Sequence, residues 1–178
     1  MSSPDTPTVA KRAERRPRDM AMSLAVLLIP IALLLGFYRL VLDGDKPISV
    51  DAAPTLQQAR AARAFPVSAP SLGADWHVQT ATFKRESGGA TLRLGYVDPR
   101  GEPLQLVESS VATATLIPAE LGKTPTATGT HQAGARTWQR YDARPGENAL
   151  VLLEKGRTII VIGKAESTSL EKLASTLP

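Results

Sequence analysis

Residues 20–38 form a run of nineteen positions without a charged side chain, closed by Asp19 on one side and Arg39 on the other. At about 1.5 Å per helical residue such a run covers about 28 Å, close to the ~30 Å hydrocarbon core of a bilayer. Ten of its residues are Leu, Ile, Val or Phe. At roughly −0.3 to −0.6 kcal/mol each, they favour insertion by about 3–6 kcal/mol. Arg39 stands at the far end, where a long stem can carry its guanidinium to the headgroups. Phe37 and Tyr38 lie beside it at interface depth, and Pro30 predicts a kink mid-span.

A buried core helix is disfavoured, because soluble helices of this length carry a polar face. A cleaved signal peptide is the closer rival, since it too places an apolar run after a basic tail. Its apolar core runs about 7–15 residues and ends in an A-x-A-like site. Here the run continues around Arg39 to Leu42 and gives way to Asp43-Gly44-Asp45-Lys46-Pro47, which favours retention as an anchor. The tail holds Lys11, Arg12, Arg15, Arg16 and Arg18, against Arg39 and Lys46 beyond the run. That bias predicts a single-pass signal-anchor in the cytoplasmic membrane, N-terminus in the cytoplasm and C-terminal domain outside. The expected organisation is a basic cytoplasmic tail (1–19), a transmembrane helix (20–42), a linker (43–53) and an extracytoplasmic domain (54–178).

Charge and composition narrow the rest. Residues 40–178 carry 15 Lys/Arg and 14 Asp/Glu, so the basic balance of the chain resides in the tail and at Arg39. A nucleic-acid binder would concentrate basic charge on its folded domain, and no nucleic-acid partner is expected. The absence of cysteine excludes a disulfide scaffold, a thiol nucleophile and a cysteine zinc site. The partner that the sequence does imply is the lipid bilayer, through residues 20–42.

The soluble part reads as α+β: a short helix, then strands, then a helix. Residues 56–64 are rich in Ala, Gln and Arg and read as a helix opening near Thr55 and stopped by Pro66 and Pro70. Residues 91–97 alternate Leu92, Leu94 and Tyr96 with Arg93 and Gly95, a strand with one buried face. They follow a strand at 76–84 through Ser87-Gly88-Gly89, and Asp98-Pro99-Arg100-Gly101 turns into a further strand at 103–110. Residues 112–122 are ambiguous, a short helix broken at Pro118, with a flexible Thr/Pro/Gly stretch after it. Residues 130–133 and 136–143 form another hairpin signal. Residues 149–153 and 158–162 are apolar on both faces and predict central strands covered on both sides. Thr168-Ser169-Leu170-Glu171 fits a capping box, opening a helix over 169–177 whose Leu170, Leu173, Ala174 and Leu177 lie on the sheet. The sum is an antiparallel sheet of six or seven strands with a packed C-terminal helix.

Motifs that carry chemistry are scarce. No G-x-S-x-G elbow, Gly-rich phosphate loop or H-E-x-x-H stands in the sequence. Leu94-Gly95-Tyr96 and Gly88-Gly89 are better explained by sheet and turn geometry. His77 and His131 could meet as a metal or acid–base pair, with Asp142 and Glu147 as acids, though two ordinary histidines and two turn acids are the simpler expectation. Trp138 and Tyr141 with Arg136 and Arg140 could stack against a glycan or peptide; Trp138 in the core with the arginines facing water is favoured. No catalytic, cofactor-binding or metal-binding residue is assigned, and no cofactor is expected.

Arg16-Pro17-Arg18-Asp19-Met20 leading into residues 24–42, then Gly95-Tyr96-Val97, Gln105-Leu106-Val107-Glu108-Ser109, Gly134-Ala135-Arg136-Thr137-Trp138 and Ile162-Gly163 before the last helix form a set. Together they resemble an actinobacterial membrane family catalogued as domain of unknown function 4245, across residues 16–177. The resemblance implies a single-pass membrane protein of unassigned biochemical role and supplies no catalytic residues. The expected function is a membrane-anchored, non-enzymatic extracytoplasmic domain that binds an envelope protein, an envelope polymer or a small ligand, or serves envelope assembly. The alternative is a cell-envelope hydrolase with an unrecognised site. Sensing through the span is disfavoured, because a nineteen-residue tail is too short for an output domain.

Overall fold

The computed structural model describes residues 17–41, 49–86 and 88–177. The chain divides into two units, residues 1–46 and residues 47–178. In the first, helix α1 (Pro17–Val41) runs through Pro30 without a break. Its segment Met20–Arg39 has a mean hydropathy of 2.5 and none of it is buried. An apolar surface of this length left uncovered is what a bilayer would cover.

The second unit begins with α2 (Ala53–Ala62), where Pro54 opens the helix without needing a backbone N–H partner. Three strands follow as a meander, β1 (His77–Glu86), β2 (Gly89–Val97) and β3 (Pro103–Ser109). Helix α3 (Thr113–Leu121) then carries the chain to the far edge of the sheet. From there β4 (Thr126–Ala133), β5 (Arg136–Asp142), β6 (Asn148–Glu154) and β7 (Arg157–Gly163) meander back, and β7 pairs with β3. Helix α4 (Ser167–Ser175) closes the fold. The result is a seven-stranded, wholly antiparallel sheet in the order β1-β2-β3-β7-β6-β5-β4, so the class is α+β.

Strand parity decides which face each helix covers. Leu92, Leu94, Leu104, Leu106, Ile159, Val161, Leu150 and Trp138 share one face with Ala59 of α2 and Leu170, Leu173 and Ala174 of α4. Val107, Ile160, Ile162, Ala149 and Val151 share the other with Leu116 and Leu121 of α3. The central strand β7 is buried at every position, as its doubly apolar sequence requires. In β6 the cover ends at Leu153, which is 58% exposed.

Three local expectations are corrected. The stretch after α3, read as flexible, supplies the first half of β4, with a bulge between Ala127 and Gly129. Pro118 lies inside α3 instead of breaking it. The capping box at Thr168 does not form: α4 starts two residues earlier, with Glu166 as its N-cap residue and no side-chain cap. Glu171 instead pairs with Arg140 at 2.5 Å, because a charge-assisted bond to a guanidinium outcompetes a neutral backbone N–H.

Candidate functional site

The strongest polar constellation fastens the segment between α2 and β1 to the sheet. Glu108 on β3 falls on the same parity as Leu104 and Leu106, so its carboxylate is fully buried. Both its oxygens lie 3.1 Å from the Ser68 backbone N–H, and Arg157 Nη1 donates to Oε2 at 3.2 Å. The same Nη1 donates to Ser68 Oγ at 2.9 Å and to the Pro66 carbonyl, while Nε and Nη2 hold Glu154 Oε2 at 2.8 and 2.6 Å. Burial pushes Glu108 up to about 7, against the opposing pull of the Ser68 N–H and the Arg157 charge. A buried pair without these extra donors would cost more than it returned. Here the arginine and the carboxylate are both satisfied, and the fastened segment seals that face of the core.

A second constellation anchors α4. Asp98 Oδ1 accepts from the backbone N–H groups of Arg100 and Glu102, each at 2.9 Å, and Oδ2 accepts from Ser169 Oγ at 2.6 Å. Burial works to raise the Asp98 pKa. The Ser169 hydroxyl, the two backbone N–H groups and the Arg100 charge outweigh it and hold the carboxyl below its ordinary range. A third fixes α3: Arg93 pairs with Glu120, and Arg144 donates through Nε and Nη2 to the Glu120 carbonyl at 3.2 and 2.6 Å.

A groove of about 330 Å³ opens on the α3 face at the sheet end bearing Val97 and Gly163. Its floor follows from two glycines. A Cβ on Gly95 would meet Thr80 Oγ1 at 2.4 Å, and one on Gly163 would meet the Pro103 carbonyl at 2.5 Å. The β1 bulge between Val78 and Thr80 sits beside it, where bulges re-aim side chains. Gln79, Thr80 and Gln105 offer hydrogen bonds, and Arg144, Glu147 and Lys164 offer charge. The lining can therefore hold a small polar ligand by hydrogen bonds and charge.

The residues weighed from sequence are dispersed. His77 lies on β1 and His131 on β4, the two opposite edges of the sheet, so they cannot share one ligand. His77 Nδ1 meets Ser49 Oγ at 3.0 Å, and His131 Nδ1 stands 3.6 Å from Glu171. Asp142 is exposed, while Glu147 is half-buried and 3.3 Å from Arg144. Trp138 is wholly buried, which removes it from any stacking surface. The arginines do not face away from it, however. Arg136 and Arg140 share its parity and turn their heads at the rim to Glu154, Glu171 and the Leu177 carbonyl. The sequence reading missed the Glu108–Arg157 pair, although the parity of Glu108 with Leu104 and Leu106 was a usable signal.

The molecule thus combines a candidate membrane-spanning helix with an α+β domain whose helices α3 and α4 are fastened to an antiparallel sheet by half-buried ion pairs. The family model for protein of unknown function DUF4245 matches residues 12–177, and the chain belongs to that family. No curated protein and no solved structure matches it.

Proposed function

We propose that this protein is a single-pass, membrane-anchored domain held outside the cytoplasmic membrane, acting there as a non-enzymatic binding or envelope-assembly module. The observation that carries the reading is the uncovered apolar segment Met20–Arg39. It precedes a domain whose two apolar clusters are built from residues between Ala52 and Leu177. The five basic residues before the helix, against two just after it, favour a cytoplasmic N-terminus. The groove over Gly95 and Gly163 supports binding, since Gln79, Thr80, Gln105, Arg144, Glu147 and Lys164 all line it.

The test is protease accessibility in cells stripped of wall. Added protease should remove everything beyond about residue 46 while an N-terminal tag survives. Protection of a C-terminal tag with loss of an N-terminal one would reverse the orientation. Changing Arg12, Arg15, Arg16 and Arg18 together to Ala should scramble it, because one lysine then faces two cations.

A further inference from the structure

A second groove, of about 560 Å³, lies between the end of α2 and the β6–β7 turn, lined by Arg60, Arg63, Phe65, Pro66, Val67 and Lys155 among others. Its place in the domain is fixed by how α2 runs. The Val50 N–H donates to the Val78 carbonyl at 2.7 Å, Thr55 Oγ1 to Ala81 at 3.4 Å, and Arg85 Nη2 to the Ala62 carbonyl at 3.0 Å. Helix and β1 therefore run side by side in one direction. The chain enters at the His77 end of the sheet, and the groove lies at the opposite end.

Most arginines of this domain are matched. Arg93, Arg100, Arg136, Arg140, Arg144 and Arg157 each pair with a glutamate. Arg60, Arg63 and Lys155 are exposed, and the ion pairs among the described residues include none to their side chains. The negative end of the α2 dipole accounts for a cation in its last turn, and Arg85 is accounted for by the Ala62 carbonyl. Neither accounts for Lys155, which comes to the groove from a separate turn. Arg63 carries a further mark. At φ 51° it is the one non-glycine among the described residues with positive φ, a helix-terminal position that glycine holds without strain. Its side chain is kept where its backbone is disfavoured.

We propose that this groove binds a phosphodiester-linked anionic polymer of the envelope. The polymer backbone would lie along Phe65, Pro66 and Val67, and its phosphates would meet Arg60, Arg63 and Lys155. Planar guanidinium groups match phosphate oxygens two at a time, and an ammonium adds a mobile third charge. The proposal rests on the extracytoplasmic reading above.

The test uses the full chain in discs of zwitterionic phosphatidylcholine, with fluorescein-labelled poly(glycerol phosphate) followed by anisotropy. Binding should saturate, and should weaken between about 50 and about 200 mM salt as screening grows. The triple change Arg60→Gln, Arg63→Gln and Lys155→Gln should weaken it roughly tenfold. Lys84→Gln, Lys123→Gln and Lys172→Gln together make the same charge change elsewhere and should leave it within about twofold. Arg63→Gly alone should raise the melting temperature while weakening binding, which separates the groove from the fold. Equal losses in both triples, no binding at low salt, or binding that needs phosphatidylglycerol in the disc would each overturn the proposal. Inverted topology in the protease experiment would sink the extracytoplasmic reading and leave this binding measurement unchanged.

Discussion

Glu108→Gln should abolish most of the pH dependence of folding stability between about pH 4 and about pH 8. The wild-type carboxyl has its proton affinity raised from 4.5 to about 7, chiefly by burial. Between those values the native state holds more protons than the unfolded state, so stability falls as pH rises and levels off above the folded value. At about 1.4 kcal/mol for each tenfold change in affinity, the gap from 4.5 to about 7 amounts to about 3 kcal/mol. Little of that is lost to solvent screening, because the Glu108 and Arg157 side chains are 0% and 5% exposed.

Glutamine keeps an acceptor for the Ser68 N–H and cannot ionise, so the variant should show an almost flat profile in this window. Asp98 does not confuse the result. Its folded pKa is lowered, so its contribution is present above the unfolded value and is lost only at more acid pH, in both proteins alike. The assay is urea unfolding at a series of pH values, comparing differences in slope between the two proteins. Parallel curves for wild type and variant would refute the reasoning, because they would mean that Glu108 does not titrate inside the core.

Residues 47–178 alone should melt cooperatively and show mixed strand and helix by circular dichroism, since both apolar clusters lie within them. In that fragment Leu173→Asp should cost about 4 kcal/mol or more, for it replaces a wholly buried apolar group with a charge; a silent substitution would mean that α4 does not dock. His77→Ala with His131→Ala should change stability by no more than about 1 kcal/mol, as two separate edge substitutions would. Stoichiometric zinc in the purified protein, lost in that double variant, would contradict the dispersed placement of the two rings.

The elements with one dominant period were legible in the sequence. Residues 91–97 alternate cleanly and form β2; the doubly apolar 158–162 forms the core of β7, the central strand; Leu170, Leu173 and Ala174 give the helical stripe of α4. The first half of β4 was not legible. Thr126-Ala127-Thr128-Gly129 buries nothing and pairs on one side only, so its extended form comes from Tyr141, Asp142 and Arg140 across the ladder and not from its own composition. The parity of Trp138 was legible, but not the direction of its neighbours. Arg136 and Arg140 share its face because acceptors on β6, on α4 and at Leu177 wait at the rim, and those are 18 to 41 residues away in sequence.

The pairs that escaped the sequence reading share a geometry. Each joins a helix or strap to the sheet: Glu108 and Arg157 to Ser68, Arg93 and Arg144 to α3, Asp98 and Arg140 to α4. Apolar parity tells each helix which face to cover, but leucine and alanine surfaces leave its position along the strands loosely determined. A guanidinium that must meet a carboxylate or a carbonyl at 2.5–3.2 Å fixes that position. An arginine that completes such a pair is spent on the fold. Arg60, Arg63 and Lys155 fix no helix to the sheet through an ion pair, and their charge stays available at the one groove they share. Matched cations in this domain belong to its architecture, and the proposed polymer would draw on the exposed charge that Arg60, Arg63 and Lys155 bring to one groove.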